Sequence, residues 1–208
     1  LRYEHKYYKD LMRDYDYVRQ EMLETIEAIR SAKSVDELRA LEAKGSKHFW
    51  NIAVNLIPER YSFSGREPRK GDPINSAIDF IYAILYGILT KALVANGLDP
   101  FHGLIHTLKS GRLSLVYDVS EIFKPLAVHA VIQASRKAHI KTFRNSKLLK
   151  PKSIEALVKH LYHKLSKESE SIYKRKSIWM LPMREINKFK DALLRQVEYK
   201  PYTYDPIS

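Results

Sequence analysis

Apolar residues recur every three or four positions through most of the chain, which is the spacing of amphipathic helices. The pattern predicts a first helix that ends near Ile29 and a second that runs from Ser34 to about Leu56, with Ser34 and Glu37 forming a capping box. No run alternates apolar and polar residues over the length of a strand, and no segment repeats. The sequence therefore predicts an all-α fold.

The third predicted helix is apolar on nearly every side, which is typical of a helix surrounded by other helices. Asp72 and Pro73 mark its N-terminus, and Asn96 and Gly97 its C-terminus. Its most apolar run, residues 80–90, is shorter than the roughly 20 apolar residues that span a bilayer. We therefore predict a buried central helix and no membrane partner.

Further helices are predicted around Val119, from a cap at Ser153, and from about Met183, with a kink or irregular part at Pro125. The last residues, rich in Tyr and Pro, are predicted to be irregular. The predicted organisation is a leading helix (1–33), a catalytic helical core (34–137), a basic helical extension of the same domain (138–200) and a tail (201–208).

The charge balance indicates a polyanionic partner, with nucleic acid favoured over a membrane surface. The chain has 36 Lys and Arg against 24 Asp and Glu, a formal net charge of +12. The connector after residue 136 is especially basic, and is predicted to be either a solvated linker or a strip that contacts phosphates. The absence of cysteine excludes disulfides, thiolate nucleophiles and Cys-ligated zinc, and fits a cytoplasmic protein. Because the chain begins with Leu1, we expect it to be part of a longer protein.

Four residues stand out as candidates for chemistry. Glu42 interrupts an otherwise apolar stripe of the second helix, and a buried carboxylate needs a cation, a metal or hydrogen-bond donors, unless the stripe turns outward. His106 follows a loop punctuated by Gly and Pro. Asp118 and Glu121 are three residues apart and hence on one face of a predicted helix. One imidazole with carboxylates indicates a divalent-metal site, although a structural role is the commoner fate of such residues.

Three blocks of the sequence, in order, carry a recognisable combination of residues. The first, LEAKGSKHFW, places Glu42 eight residues before Trp50. The second is GREPRKGDPINSAIDFIYAILYG. The third is GLDPFHGLIH followed by GRLSLVYDVSEIFKP. Together the blocks run from about residue 41 to residue 125, and they resemble the C-terminal helical domain of the CRISPR-associated integrase, the metal-dependent endonuclease that inserts new spacers into a CRISPR array. The later residues match only loosely.

The resemblance implies that Glu42, His106 and Glu121 are the metal ligands, with Asp118 as a neighbouring acid of the same catalytic cluster. Glu121 departs from members that have aspartate there, which moves the carboxylate by one methylene. It also implies a Mn²⁺ or Mg²⁺ cofactor, a double-stranded or branched DNA substrate, phosphodiester transesterification, a homodimer in the full-length protein and a small CRISPR-associated partner subunit. The β-rich N-terminal domain of the family is absent from this sequence.

Four cations adjoin the matching blocks and are the candidate DNA-backbone contacts: Arg66, Arg69, Lys70 and Arg112. Tyr82 and Tyr86 are predicted to be core residues rather than base-stacking residues. Three other functions remain open: a non-catalytic basic DNA-binding module, a transposon-encoded integrase with the same domain, and a ribonuclease with the same metal chemistry.

Overall fold

A computed structural model describes residues 2–106 and 110–205, with side chains from residue 16 onward. Across these ranges the chain forms seven α-helices and no β-strand, so the predicted all-α fold is confirmed. The helices are α1 (Arg2–Ser31), α2 (Val35–Leu56), α3 (Pro73–Ala95), α4 (Ser114–Ser120), α5 (Lys124–Lys137), α6 (Pro151–Tyr173) and α7 (Met180–Arg195).

The chain divides into two compact units, residues 1–66 and residues 67–208. In the first unit α1 packs against α2. The carboxylate of Glu21 on α1 lies 3.2 Å from Lys44 Nζ and 3.5 Å from His48 Nε2 on α2. The division expected from the sequence, into a leading helix, a catalytic core, a basic extension and a tail, stays a prediction.

The start of α2 follows the predicted capping box with one difference. Ser34 Oγ accepts a hydrogen bond from the Glu37 amide at 3.1 Å, as expected. The Glu37 carboxylate returns to the amide of Lys33 at 2.8 Å, one residue before the cap. The first bond satisfies an amide that the first helical turn would otherwise leave without a partner, and the second ties the residue before the cap to the helix.

In the second unit α3 is the central helix, and α4, α5, α6 and α7 all pack against it. Asp72 caps it by accepting hydrogen bonds from the Ile74 and Asn75 amides at 3.1 and 2.9 Å, as predicted. Among the described residues, α3 is the one helix long and apolar enough to cross a bilayer. Burial accounts for this composition, because Ile81 and Leu85 in its middle are fully enclosed by the neighbouring helices.

The predicted helix around Val119 is two helices separated by a turn. Helix α4 ends at Ser120, and Phe123 donates its amide to the Ser120 carbonyl at 2.9 Å before α5 begins. Pro125 lies in the first turn of α5, where a missing amide hydrogen costs nothing. The irregularity expected at Pro125 is thus a helix boundary, and Glu121 lies just beyond the end of α4.

The predicted cap at Ser153 is wrong. Helix α6 begins after Lys150 with Pro151 in its first turn, and Ser153 lies inside the helix. The Ser153 hydroxyl accepts a hydrogen bond from the Lys141 amide at 2.9 Å and donates one to the Lys141 carbonyl at 3.2 Å. It therefore ties the preceding segment to α6 instead of capping α6.

The C-terminal tail is irregular up to residue 205, as predicted, but it packs on the helices. The Tyr199 hydroxyl and the Tyr202 amide both donate to Glu185 Oε2, at 3.2 and 2.9 Å. The Tyr202 hydroxyl donates to Glu168 Oε2 at 2.7 Å. Because Glu185 and Glu168 are only 2% and 7% exposed, the tail supplies hydrogen-bond donors that these buried carboxylates require.

The tail also covers a histidine on α5. The Tyr204 hydroxyl lies 2.5 Å from His129 Nδ1. Burial, reinforced by the positive charges of Lys164 and Arg136, lowers the pKa of His129 to about 4. Burial beside the Glu168 carboxylate raises the pKa of Tyr204 to about 12. Both side chains are therefore neutral near pH 7, and the hydrogen bond joins two uncharged groups.

Candidate catalytic site

The centre of the site is the carboxylate of Asp118, which receives four hydrogen bonds from the loop before α4. Asp118 Oδ2 accepts from the amides of Leu104 and Ile105 at 2.5 and 3.0 Å. Asp118 Oδ1 accepts from the His106 amide at 3.0 Å and contacts His106 Nδ1 at 2.6 Å. The side chain is only 7% exposed, so its charge is stabilised by these donors rather than by water. We name this arrangement the Asp118 cradle.

Gly103 allows the loop to approach α4 closely enough to form the cradle. A Cβ atom at this position would lie 2.6 Å from Ser114 Cβ, 2.8 Å from the His106 carbonyl oxygen and 3.0 Å from Asp118 Oδ2. Two of these contacts are with atoms that cannot rotate away. The spacing Gly-x-x-His in the sequence thus reflects a steric requirement for glycine and a hydrogen bond from histidine.

The cradle favours one tautomer of the His106 ring. A carboxylate oxygen accepts hydrogen bonds, so its contact with Nδ1 favours a neutral ring with the proton on Nδ1 and the lone pair on Nε2. A carboxylate on one ring nitrogen and a metal on the other is a recurrent arrangement, in which the carboxylate orients the ring and increases its basicity. Asp118 accordingly acts on His106, and its own oxygens are already filled by donors.

Aromatic residues form one wall beside His106. The ring of Tyr117 contacts that of His106 edge to face, with centroids 5.9 Å apart. The guanidinium of Arg112 lies 5.4 Å from the centroid of the Tyr117 ring. The ring of Tyr86 on α3 packs edge to face against Tyr117, with the two centroids 5.1 Å apart. This wall limits rotation of the imidazole and places a cation close to it.

Glu121 lies in the turn between α4 and α5 and is half-buried. Its Oε1 forms a salt bridge with Lys124 Nζ, and that ammonium group is also 5.5 Å from the centroid of the Tyr82 ring. Tyr82 and Tyr86, predicted as core residues, are half-buried and contact groups of the site instead. The carboxylate of Glu121 is therefore accessible and accompanied by a cation.

Glu42 is exposed on α2, so the structure agrees with the alternative in which the apolar stripe turns outward at this residue. The buried residues of this helix include Ala53, four positions after Phe49 of the predicted stripe. An exposed carboxylate needs no partner, so the apolar pattern by itself does not single out Glu42. Its assignment as a ligand rests on the resemblance of the first block.

Within residues 16–106 and 110–205, no three His, Asp or Glu side chains form a group that could hold a metal ion. Glu42 belongs to the first unit, whereas His106, Asp118 and Glu121 belong to the second. The convergence of Glu42, His106 and Glu121 stays a prediction. The donor types fit a divalent ion, since an oriented imidazole nitrogen and accessible carboxylates suit Mn²⁺ or Mg²⁺.

The candidate DNA contacts differ in their surroundings. Lys70 forms a 2.6 Å salt bridge with Glu67, and this hydrogen bond raises the pKa of Lys70. Arg69 is exposed and donates its amide to Asp79 at 3.0 Å. Arg66, the last residue of the first unit, is half-buried, and Arg112 is held over Tyr117. Their contacts with DNA stay predictions.

Gly103, Tyr117 and Lys124 are parts of the site that the sequence did not single out. Tyr117 and Lys124 flank the two acids in the sequence, and Gly103 lies within the third motif block. One signal was available in the spacing of Tyr82 and Tyr86, one helical turn apart on a mostly aliphatic helix. Tyrosines at that spacing indicate a helix face that meets polar groups.

Comparison with known proteins identifies the family. The family model described as CRISPR associated protein Cas1 matches residues 1–163. The CRISPR-associated endonuclease Cas1 of Hyperthermus butylicus is 41% identical over 101 residues, which are 48% of this chain and 30% of that protein. The chain spans about a third to a half of the length of several curated relatives that it matches.

Solved structures agree in fold. A casposase bound to an integration product superimposes with a TM-score of 0.78 at 22% identity, covering 88% of this chain and 55% of the casposase chain. A chain of a Cas6-RT-Cas1–Cas2 complex superimposes with a TM-score of 0.74 at 18% identity, covering 95% of this chain and 22% of that one. Because the matching model covers most of the sequence, this chain belongs to the Cas1 family.

Proposed function

We propose that this chain is the helical catalytic part of a divalent-metal-dependent DNA endonuclease and integrase that joins new spacer DNA into a CRISPR array. The observation that carries the proposal is the His106–Asp118 pair, in which a carboxylate held by three backbone amides contacts Nδ1 of the imidazole and leaves Nε2 available. The names of the curated relatives support an endonuclease. The casposase, solved with an integration product, supports strand joining.

The proposed ligands are Glu42, His106 and Glu121, with Asp118 as the residue that orients His106. A divalent ion held there would stabilise negative charge on the phosphate and favour ionisation of the attacking hydroxyl or water. The Asp118 cradle keeps the imidazole in one orientation and one tautomer, so that no reorganisation is needed during the reaction. Lys124 and Arg112 add positive charge next to the site.

Transesterification balances without an energy source. The oxygen of a 3′-hydroxyl forms a bond to phosphorus, the bond to the 3′-oxygen of the target strand breaks, and the proton passes to the leaving oxygen. One phosphodiester replaces another, and the sequence contains no GxxxxGK[ST] pattern for nucleotide hydrolysis. With water as the nucleophile, the same site performs cleavage.

The proposed partners are branched or double-stranded DNA, a second copy of the full-length protein and a small CRISPR-associated subunit. The charge of +12 supports DNA. The assembly that contains both Cas1 and Cas2 supports the small subunit. A non-catalytic DNA-binding module is the second candidate, and it makes no use of His106.

The test measures strand transfer and cleavage of branched DNA in Mn²⁺ by the 208-residue chain and by Glu42→Ala and His106→Ala. The exposed residues Glu59 and His163 provide the matched controls Glu59→Ala and His163→Ala. We expect loss of activity in the first pair and parental activity in the controls. Binding of Mn²⁺, followed by paramagnetic broadening of the His106 ring resonances, gives a readout independent of activity. Full activity in both site variants would contradict the proposal.

A further inference from the structure

A short hairpin projects from the second unit between α5 and α6, and we name residues 140–150 the basic hairpin. Its two arms are joined by hydrogen bonds from the Phe143 amide to the Leu148 carbonyl and from the Lys150 amide to the Lys141 carbonyl, both at 2.9 Å. The turn is closed by the Ser146 amide, which donates to the Phe143 carbonyl at 3.2 Å. The segment predicted as a linker or a phosphate-contacting strip is therefore ordered.

The base of the basic hairpin is fixed to the rest of the second unit. Ile140 and Leu149, one on each arm, are buried. Ser153 of α6 makes both of its hydrogen bonds to the backbone of Lys141. Because the base is anchored in this way, the turn and the opposite face of the basic hairpin are held in place and remain exposed.

The tip presents apolar groups to solvent. Phe143 is 48% exposed and Leu148, directly opposite, is 70% exposed. The ammonium group of Lys150 lies 5.8 Å from the centroid of the Phe143 ring. An exposed aromatic and aliphatic pair on a rigid turn is costly in water and is typical of a contact surface.

The surroundings of the tip are strongly cationic. Between residues 136 and 154 the sequence has seven Lys and Arg and no Asp or Glu. Four exposed cations of the basic hairpin form no ion pair within the described part of the chain: Lys141, Arg144, Lys147 and Lys150. Uncompensated cations around an aromatic ring fit a ligand that has both anionic groups and flat rings, which are the features of a nucleic-acid strand.

The basic hairpin is continuous with the loop before α3. A Cβ atom on Gly71 would lie 3.2 Å from Lys147 Cγ, so the aliphatic part of Lys147 packs directly on this glycine. Gly71 has a φ of +93°, which favours glycine. Arg69 and Lys70 immediately precede it, so these cations and those of the basic hairpin share one surface.

We propose that the basic hairpin binds DNA at an unpaired nucleotide, with one base stacked on Phe143 and the flanking phosphates contacted by Arg144 and Lys147. The choice of DNA rests on the proposed function, because strand transfer acts on and produces branched DNA. A fully paired duplex offers phosphates but no open base face, so the surface favours branched or single-stranded segments over intact duplex.

The test measures binding of the 208-residue chain in EDTA to two fluorescent probes, a three-way junction with unpaired nucleotides at its branch point and a continuous duplex of equal length. The variants are Phe143→Ala, Phe143→Trp and Lys147→Ala. Leu194→Ala and Lys176→Ala, which change an exposed leucine and an exposed lysine outside the basic hairpin, are the controls. Circular dichroism verifies that each variant is folded.

We expect Phe143→Ala to lose about 5- to 100-fold in affinity for the junction with little change for the duplex, as for loss of one stacked base. Phe143→Trp restores the preference. Lys147→Ala weakens both probes alike and reduces the salt slope by about one. 2-Aminopurine at the unpaired position reports stacking by a fluorescence change that Phe143→Ala abolishes.

An unchanged junction preference in Phe143→Ala, or an equal loss on both probes, overturns the proposal. A parent chain that binds neither probe but binds a polyglutamate peptide overturns it in favour of an acidic protein partner. His106→Ala separates this proposal from the proposed function, because it should bind both probes like the parent while losing activity. If the hairpin variants bind DNA like the parent, the loss of activity in His106→Ala still supports the proposed function. If His106→Ala keeps its activity, the binding results for the hairpin variants still stand.

Discussion

At the scale of single residues, the position of an acid relative to its donors decides its role. Asp118 and Glu121 are three residues apart, yet the first is enclosed by three amides and an imidazole, whereas the second is accessible and paired with Lys124. A carboxylate whose lone pairs are filled by donors orients its neighbours. An accessible carboxylate that pairs with a lysine can exchange that partner for another cation. The two acids thus differ in their surroundings.

Asp118→Asn tests the orienting role, because the amide keeps the shape but loses the charge and one acceptor. We expect a roughly 10- to 100-fold loss of metal affinity or activity, the usual effect of losing such a carboxylate. Nitrogen-15 NMR of the His106 ring should show that the Nδ1-protonated tautomer of the parent is no longer the dominant one. Asp99→Asn, which alters an aspartate that caps only the Phe101 amide, is the control. An unchanged tautomer would contradict the orienting role.

Gly103→Ala tests the close approach of the loop to α4. The added methyl group would overlap Ser114 and the His106 carbonyl, so we expect the free energy of unfolding to fall by about 1–3 kcal/mol in urea titrations. Gly87→Ala on α3 is the matched control, because nothing lies within 4 Å of its Cβ position. Alanine there should stabilise the helix by about 0.5–1 kcal/mol. Equal effects at the two glycines would exclude a specific steric role for Gly103.

At the scale of elements, the sequence predicted helices well where local chemistry determines them. Asp72, Pro73 and Asn96 act within one turn of their own position, so the bounds of α3 followed from the sequence. Ser153 was misassigned because its hydroxyl bonds to Lys141, twelve residues away, and no local pattern reveals that contact. The basic hairpin was not predicted for a related reason. Its arms are joined by one isolated β-bridge, between Thr142 and Leu149, and of its residues only Ile140 and Leu149 are buried, so no alternating apolar pattern marks it.

The site was predictable as a set of residues but not as an arrangement. The motif blocks pointed to His106, Asp118 and Glu121, whereas the division between an orienting acid and an accessible acid depends on how the loop folds over α4. The apolar stripe did not show whether Glu42 is buried or exposed, because the periodicity of a sequence gives the direction of a helix face only to within about one position. Exposure of Glu42 became apparent only from the packing of α1 on α2.

The tail is the element whose contribution to stability can be tested most directly. Tyr202→Phe removes the hydroxyl that donates to Glu168 at 2.7 Å but keeps the ring that stacks on Phe123. A buried carboxylate then lacks a donor, and we expect a loss of about 1.5–3 kcal/mol in the free energy of unfolding. Tyr162→Phe on the exposed side of α6 should change it little. Equal stability of the two variants would mean that water replaces the lost donor.

At the scale of the whole molecule, charge is distributed unevenly. The surface carries the excess of cations, whereas the second unit encloses Glu168, Glu185 and Lys164 with partners supplied by the tail. The buried polar groups make stability depend on pH, while the surface cations make binding of polyanions depend on salt. These two dependences can be measured separately.

The stability of the protein should fall in mild acid because of His129. Burial lowers its pKa to about 4, so the unfolded chain takes up a proton near pH 6.5 and the folded protein only near pH 4. The unfolded state binds more protons between these values, and stability is therefore lost as the pH falls from about 6.5 to about 4. The loss attributable to His129 should be about 1–2 kcal/mol after allowance for solvent screening.

Denaturant titrations at a series of pH values, on the parent and on His129→Gln, measure this contribution as a difference. Glutamine does not titrate, so the variant should have a shallower dependence between pH 4 and 6.5, with the effect of the carboxylates common to both proteins. His163→Gln on the surface of α6 should follow the parent. Parallel curves for the parent and His129→Gln would contradict the lowered pKa.

The Asp118 cradle has a consequence for which positions of this loop can vary. Two of its four donors are backbone amides of Leu104 and Ile105, whose side chains are 56% and 38% exposed. The carboxylate therefore binds the backbone of these two residues, and its hydrogen bonds do not depend on their side chains. Mutational tolerance should be high at both positions and low at Gly103, His106 and Asp118. The loop thus combines three positions that have strict structural requirements with two adjustable positions, whose side chains can change while the cradle is kept.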